Sequence, residues 1–271
     1  MSDQVLYAYA VARDADGLAD VAGALTGVAG ASVRLMASTR DDRLLLAVSS
    51  VPADDFHEAA LKRHLEDLDW LEAVARAHHV VIDALAARTT VLPMRLATVY
   101  LDDDGARRAL DSGAGTFGER LERLAGHLEW GVKIYADPAA ASAAPAPGEA
   151  ADLSPGRAYL RQRRAQQGVR DDVYRAAGVA AERVEAAGRR HAAGRARHRV
   201  QQGALAASAD ENVLNDAYLV HADRAQAFRA EVAQAADGLT GVRVEVTGPW
   251  APYSFATPAA GSDDSTGGAA P

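Results

Sequence analysis

The chain has 271 residues, of which 49% are apolar and 24% charged, a composition typical of one large or two modest folded domains. It contains no cysteine, which excludes disulfides, thiolate metal sites and cysteine nucleophiles and is typical of a reducing cytoplasm. The net charge of −8 argues against general binding to nucleic acids. Because the first residues lack a signal-peptide pattern and no apolar run reaches about 18 residues, we expect a cytoplasmic protein without a membrane span.

The first strands and a short helix are predicted before residue 50. Residues 5–11 (VLYAYAV) carry apolar side chains on both faces, which predicts a strand that is covered on both sides. A short helix is predicted at residues 18–25. Residues 32–38 and 44–49 flank a polar turn, which predicts a hairpin.

A long helical pattern comes next. Between Pro52 and Leu85, apolar residues recur at three- and four-residue steps, which predicts one helix or two helices bent near Asp69. Residues 91–100 predict a strand, in which Pro93 indicates an edge position or a bulge. Two further helical patterns follow, at residues 102–110 and 116–128.

The second half of the chain begins with a strand at residues 129–136, where apolar residues alternate with others. The later patterns are a long helix from Arg157, a strand at 217–221, a helix at 222–236 and a strand at 242–246. This order resembles a ferredoxin-like α/β sandwich that has lost one strand.

We therefore predict an α+β protein of two domains. The N-terminal α+β domain covers residues 1–126, and a C-terminal modified ferredoxin-like α/β sandwich covers residues 127–257. Residues 138–155 are mostly alanine, proline, glycine and serine, which predicts a flexible linker inside the second domain. The low-complexity tail at 258–271 is expected to be disordered.

No constellation of catalytic or metal-binding residues is evident. His78 and His79 are adjacent on a helix and so point about 100° apart, and His78 lies on the apolar stripe, which favours a core position over a metal ligand. The acids at 102–104 follow Tyr100, which occupies the first ligand position of a calcium loop, so a helix N-cap explains them better. We predict a protein that is not an enzyme and that has no metal or cofactor.

The long helix is unusually rich in arginine. Twelve arginines and four acidic residues lie between Arg157 and Arg199, so the rest of the chain is strongly acidic. These arginines could contact phosphates, dock on an acidic partner, or form a solvated face opposite the alanine and valine stripe. The candidate contacts to a partner at the start of this region are Arg157, Arg161, Arg163 and Arg164.

A short aromatic segment follows the last predicted strand. Residues 248–255 (GPWAPYSF) hold Trp250, Tyr253 and Phe255 between two prolines, although only 6% of the chain is aromatic. The segment either closes the core after the last strand or anchors a protein partner through these three rings.

Four segments of the chain together resemble the gas vesicle protein F/L family. They are residues 91–100 (VLPMRLATVY), 129–135 (EWGVKIY), 156–164 (GRAYLRQRR) and 247–255 (TGPWAPYSF). The likeness extends from about Leu6 to Phe255. One departure is visible, because Leu96 and Ala97 stand where the family pattern would have an aromatic residue and a glycine before Thr98.

This resemblance implies a non-enzymatic accessory protein of gas vesicle formation, built from an N-terminal α+β domain and a modified ferredoxin-like domain. It implies that the protein binds the hydrophobic gas vesicle shell protein A at the gas vesicle, with other gas vesicle accessory proteins as further candidate partners. We expect no nucleic acid, membrane or small-molecule substrate as a partner. The competing hypothesis is a regulatory or nucleic-acid-binding module that acts through the arginine-rich helix at residues 157–199.

Overall fold

The computed structural model describes residues 4–64, 66–142, 155–200 and 210–256, which form two compact units. Unit 1 contains the chain up to His127 and again from Trp250 onward, and unit 2 contains Leu128–Pro249. The predicted second domain ran to residue 257, whereas the packing returns the chain to unit 1 from Trp250. Unit 1 is thus assembled from two separate stretches of sequence.

Unit 1 is built on a five-stranded sheet. Its elements up to residue 124 are β1 (Gln4–Arg13), α1 (Leu18–Gly23), β2 (Arg34–Ala37), β3 (Leu44–Pro52), α2 (Ala53–Phe56), α3 (Glu58–His64), α4 (Leu68–Ala86), β4 (Val91–Pro93), β5 (Val99–Tyr100), α5 (Asp103–Ser112) and α6 (Ala114–Leu124). The sheet order is β2-β3-β1-β4, and β5 also pairs with β1. The predicted hairpin is the antiparallel pair of β2 and β3.

The core of unit 1 is built around the central strand β1. Its side chains from Leu6 to Ala12 are all buried, as the apolar pattern on both faces predicts. Tyr7 and Tyr9 point into a core that also contains residues of α1, α2 and α4. The helices α5 and α6 contact β5, β4 and β1.

The helical stripe after Pro52 forms three helices, α2, α3 and α4. The backbone is extended at His57, which ends α2. The carboxylate of Asp67 then accepts hydrogen bonds from the main-chain N–H groups of Asp69 and Trp70, so Asp67 is the N-cap of α4. The bend predicted near Asp69 therefore lies at the start of α4.

The strand predicted at residues 91–100 is wrong as a single element. It is interrupted after β4, and Ala97 there adopts the left-handed region with a φ of 61°. The N–H of Ala97 donates a hydrogen bond of 3.1 Å to the hydroxyl of Tyr7. The N–H group of Ala97, in the turn between β4 and β5, thus has a side chain of the core as its hydrogen-bond partner. After this turn, β5 pairs again with β1.

Unit 2 contains a four-stranded sheet in the order β7-β8-β6-β9. Its elements are β6 (His127–Ala136), α7 (Pro138–Ser142), α8 (Pro155–His191), β7 (Ala192–Arg197), β8 (Glu211–His221), α9 (Ala222–Ala233) and β9 (Val242–Trp250). This is the strand order of a ferredoxin-like sandwich. The helices α8 and α9 pack on the sheet through a core of alanine, valine and aromatic side chains, among them Ile134, Val184 and Phe228.

The sheet has one more strand than the sequence pattern predicts. The arginine-rich helix ends at His191, and residues 192–197 turn back as β7, paired antiparallel with β8 from Ala192 to Arg197. Its sequence, AAGRAR, has no β-branched or aromatic residue, so it carries no local strand signal. Its place in the sheet comes from pairing with β8, in which Ala217, Tyr218, Leu219 and Val220 are buried.

The predicted linker and tail lie mostly outside the described residues. The first part of the linker is helical, as α7, and residues 143–154 are not among those described. The same holds for residues 257–271, which include the predicted tail. In unit 1 the described chain ends with the helix α10 (Tyr253–Ala256).

Candidate interaction surfaces

The histidines and acids singled out in the sequence have structural roles. His78 is buried in the core of unit 1, and its Nδ1 lies 3.0 Å from the hydroxyl of Tyr7. The carboxylate of Asp102 accepts a hydrogen bond of 2.7 Å from the N–H of Gly105 and so caps α5, as predicted. Among the described residues, no group of three or more histidine, aspartate or glutamate side chains is arranged to hold a metal ion.

A polar cleft of about 500 Å³ in unit 1 is lined by charged side chains of both signs. Asp111 accepts hydrogen bonds from the hydroxyl of Ser38 and from Thr39, and these lower the pKa of its carboxyl group to about 2. Arg13 forms ion pairs with Asp41 and Glu122. The charges of the cleft are therefore largely compensated by their own neighbours.

The long helix α8 divides into a packed part and an exposed part. Its buried side chains begin at Val173 and recur as far as Ala187. By contrast, every described side chain in residues 156–168 is exposed. We call residues 156–168 the arm. The predicted apolar stripe starts at Val169, so the sequence indicates where packing begins.

The arm carries the four arginines predicted to contact a partner. Arg157, Arg161 and Arg164 recur at helical spacing and lie along one face. The guanidinium of Arg163 lies 5.9 Å from the centre of the Tyr159 ring. Tyr159 and Leu160 are 58% and 56% exposed, so the arm presents apolar as well as cationic surface.

The aromatic segment at residues 248–255 has features of both predicted roles. Ala251 is buried in the core of unit 1, and Tyr253 packs against that core. Arg120 donates a hydrogen bond of 3.3 Å to the carbonyl oxygen of Ala256. Trp250, however, is 41% exposed, and Phe255 is partly exposed. The segment closes the core of unit 1 and at the same time presents Trp250 to solvent.

Two residues that sequence reasoning missed organise this segment. The Nδ1 of His79 lies 3.1 Å from the hydroxyl of Tyr253, and the two rings are stacked with centroids 5.6 Å apart. The Nε2 of His79 lies 3.1 Å from the carboxylate of Asp83. The ring of Trp250 lies 5.6 Å from that of His79. The four-residue spacing of His79 and Asp83 on α4 is the signal that could have indicated this pair.

The predicted contact residues belong to both units. Trp250 and Tyr253 lie together around His79 in unit 1, and the four arginines lie on the arm of unit 2. None of the helices in the described part of the chain combines the length and apolar character needed to cross a bilayer.

Comparison with known proteins gives the same assignment as the four sequence segments. The family model described as "Gas vesicle synthesis protein GvpL/GvpF" matches residues 5–257. The chain is 44% identical over 256 residues to "Gas vesicle protein L" of Streptomyces sp. (strain CB03234), with 94% of each chain covered. The chain belongs to the GvpL/GvpF family.

Solved structures of this family share the fold. The chain is similar to the crystal structure of GvpF from Anabaena sp. PCC7120, with a TM-score of 0.63 and 18% identity, over 97% of this chain and 100% of that one. It is also similar to GvpF from Microcystis aeruginosa, with a TM-score of 0.60 and 17% identity, over 93% and 99% of the two chains. Membership of the GvpL/GvpF family gives the protein a role related to gas vesicles.

Proposed function

We propose that this protein is a non-catalytic accessory factor that binds the hydrophobic gas vesicle shell protein A and assists nucleation or assembly of the shell. The observation that carries the proposal is the exposed Trp250, fixed beside His79 at the edge of a packed core. An indole held in place loses little conformational freedom on binding, and tryptophan is enriched among residues that dominate binding energy.

The proposed mechanism is transient protection of apolar surface. A shell protein exposes apolar surface before it polymerises, and such surface aggregates in water. An exposed ring can cover part of this surface while the partner remains soluble. The arginines of the arm (Arg157, Arg161, Arg163 and Arg164) would set the orientation and rate of encounter through their charge.

The aromatic residues of the segment have different parts in this proposal. Trp250 makes the contact, because it is the most exposed of the three rings. Tyr253 fixes the segment through its contact with His79. Phe255 completes α10 and adds a partly exposed apolar face.

The test is capture of purified shell protein by Trp250→Ala. We expect the apparent Kd to rise by about 30-fold, which corresponds to a loss of about 2 kcal/mol at a binding hot spot. The matched control is Leu101→Ala, which removes an apolar side chain that is 82% exposed elsewhere in unit 1 and should leave binding unchanged. Equal binding by the Trp250→Ala variant and the wild type, with unchanged circular dichroism, would falsify the aromatic contact.

A nucleic-acid-binding role of the arginine-rich region is the competing function. Much of that region is already engaged, since Arg183 donates to the carbonyl oxygens of Ala235 and Asp237, and Arg195 pairs with Asp216. Among the described residues of this region, the arm carries four exposed arginines, and residues 156–168 contain no acidic residue. We expect no electrophoretic mobility shift of DNA or RNA at about 0.15 M salt, where nonspecific phosphate contacts are weakened.

A further inference from the structure

The arm is a helix whose described side chains are all exposed. An isolated helix of about 13 residues is only marginally stable in water. Here the packed part of α8 continues directly into the arm and supplies the helical nucleus. Tyr159 and Leu160 nevertheless remain largely exposed. The fold thus presents a preformed helical surface with both apolar and cationic side chains.

The charge of the arm is opposite to that of unit 1. Residues 156–168 contain four arginines and no acidic residue, whereas residues 4–127 contain 19 acidic residues and 13 lysines and arginines. Opposite charges on two surfaces raise the rate of encounter and favour one orientation. A second copy of the same chain therefore offers the arm a complementary surface.

Within unit 1, the start of α4 fits the chemistry of the arm. Leu68 is 76% exposed and lies between Asp67 and Asp69, with Glu66 before them. Asp67 is engaged as the N-cap of α4. Among the described residues, Glu66 and Asp69 form no side-chain ion pair, so both carboxylates can face a cationic partner. The surface around Leu68 combines an exposed leucine with acidic residues. It is therefore complementary to the arm, which combines Leu160 and Tyr159 with arginines.

We propose that the arm of one copy binds the surface around Leu68 in unit 1 of a second copy. Leu160 and Tyr159 pack on Leu68, and the arginines of the arm face Glu66 and Asp69. The two surfaces are different, so the contact is heterologous, and its repetition produces rings or open chains rather than a symmetric pair. This contact goes beyond the proposed binding of shell protein, and its test uses the chain alone.

The test is sedimentation velocity of the full chain over about a hundredfold range of concentration, at about 0.05 M and about 0.5 M salt, since screening weakens exposed ion pairs at the higher value. We expect the weight-average sedimentation coefficient to rise with concentration at low salt and to stay near the monomer value at high salt. A coefficient that is independent of concentration at low salt overturns the proposal.

Two variants with altered charge identify the surfaces. Arg163→Glu with Arg164→Glu lowers the net charge of the arm from +4 to 0, and Glu66→Lys with Asp69→Lys reverses the charge of the acceptor surface. Each variant alone should remain monomeric at low salt. An equimolar mixture should associate, because the unchanged arm of the acceptor variant can bind the unchanged acceptor surface of the arm variant. A mixture that stays monomeric overturns the head-to-tail arrangement.

The matched control lies on the same helix. Arg175→Glu with Arg189→Glu makes the same change of charge at two exposed arginines of the packed part of α8. This control should associate as the wild type does. Equal loss of association in the control and in the arm variant would mean that net charge, not the arm, governs association, and would overturn the proposal. Circular dichroism of all variants should match the wild type, since every altered side chain is exposed.

Discussion

The hydroxyl of Tyr7 lies 3.0 Å from the Nδ1 of His78 inside the core of unit 1. The same hydroxyl accepts a hydrogen bond from the N–H of Ala97, so it links His78 to the turn between β4 and β5. Burial lowers the pKa of His78 to about 4, although the main chain of Met94 acts in the opposite direction. Burial also raises the pKa of Tyr7. Both side chains are neutral in the folded protein.

The first prediction concerns acid stability. His78 is neutral when folded down to about pH 4 and takes up a proton near pH 6.5 when unfolded. The folded pKa is depressed, so the unfolded state binds more protons between these values, and the free energy of unfolding falls as pH decreases from 6.5 to 4. The loss from this group is about 3 kcal/mol by linkage. Urea denaturation at several pH values across this window measures it.

The variant His78→Gln removes this titration and keeps a polar side chain. Its free energy of unfolding should be lower than that of the wild type at pH 7, and the difference should shrink toward pH 4. Leu101→Gln, which changes a side chain that is 82% exposed in the same unit and does not titrate, should run parallel to the wild type. If the wild type and His78→Gln kept a constant difference across the window, the buried imidazole would not be the group responsible.

The second prediction concerns Ala97, which stands where the family pattern would have glycine. A φ of 61° is disfavoured for a residue with a Cβ atom, and glycine adopts it without strain. Ala97→Gly should therefore increase the free energy of unfolding by about 1 kcal/mol, observable as a higher Tm. Ala31, with a φ of −79°, provides the control, because glycine there only adds freedom to the unfolded chain and should lower stability.

The third prediction compares two glycines of α8. A Cβ atom on Gly188 would lie 2.3 Å from Cε1 of the buried Tyr218, whereas one on Gly178 would meet nothing within 4 Å. Gly188→Ala should destabilise the protein by about 1–3 kcal/mol through overpacking. Gly178→Ala should stabilise it by up to about 1 kcal/mol, because alanine is the better helix former. Chemical denaturation of both variants measures these changes in the free energy of unfolding. An increase in stability on Gly188→Ala would contradict the close contact with Tyr218.

The fourth prediction concerns the ion pair between β7 and β8. The Nη2 of Arg195 lies 2.6 Å from the carboxylate of Asp216, of which only 5% is exposed, and its Nη1 lies 2.7 Å from Glu185. Arg195→Met would leave the buried carboxylate of Asp216 uncompensated and should cost about 3 kcal/mol. Arg189→Met is the control, since Arg189 is exposed and lies 3.9 Å from Glu185, and should change little.

A second replacement tests the cause of that cost. Adding Asp216→Leu to Arg195→Met removes the unpaired charge, so the double variant should recover much of the lost stability. A double variant less stable than Arg195→Met would show that the packing of Arg195, rather than the charge of Asp216, is what stabilises this edge of the sheet. Denaturant midpoints of the three proteins make the comparison.

Local sequence patterns predict the elements whose residues have strong strand or helix signals. β1 and β6 follow from alternating or continuous apolar residues, and the packed part of α8 follows from the stripe that begins at Val169. β7 could not be predicted, because its alanines and arginines favour a helix and only the pairing with β8 makes it a strand. The interruption at Ala97 also depends on a distant group, the hydroxyl of Tyr7.

The candidate surfaces also include one part that local sequence patterns predict and one part that depends on distant contacts. The exposure of the four arginines on the arm agrees with the lack of a strong apolar stripe before Val169, which the sequence displays directly. The position of Trp250 depends on His79, which is far away in the sequence and becomes a neighbour only in the folded unit. Contacts between residues far apart in the sequence leave no periodic pattern. The sequence therefore suggests both roles of the segment, closing the core and anchoring a partner, but does not show which residue has which role.

The division of unit 1 into two stretches of sequence has a consequence for biosynthesis. The residues up to His127 leave the ribosome first, but Ala251 and Tyr253, which contribute to the same core, follow only after Leu128–Pro249 has been made. At about 5–20 residues per second, this interval is on the order of 10 s. During that time the nascent unit 1 lacks its closing segment and exposes part of its apolar interior to chaperones and proteases. Only chains translated past Ala256 can bury it, so this core closes after Leu128–Pro249 has been made, although most of its residues precede that stretch.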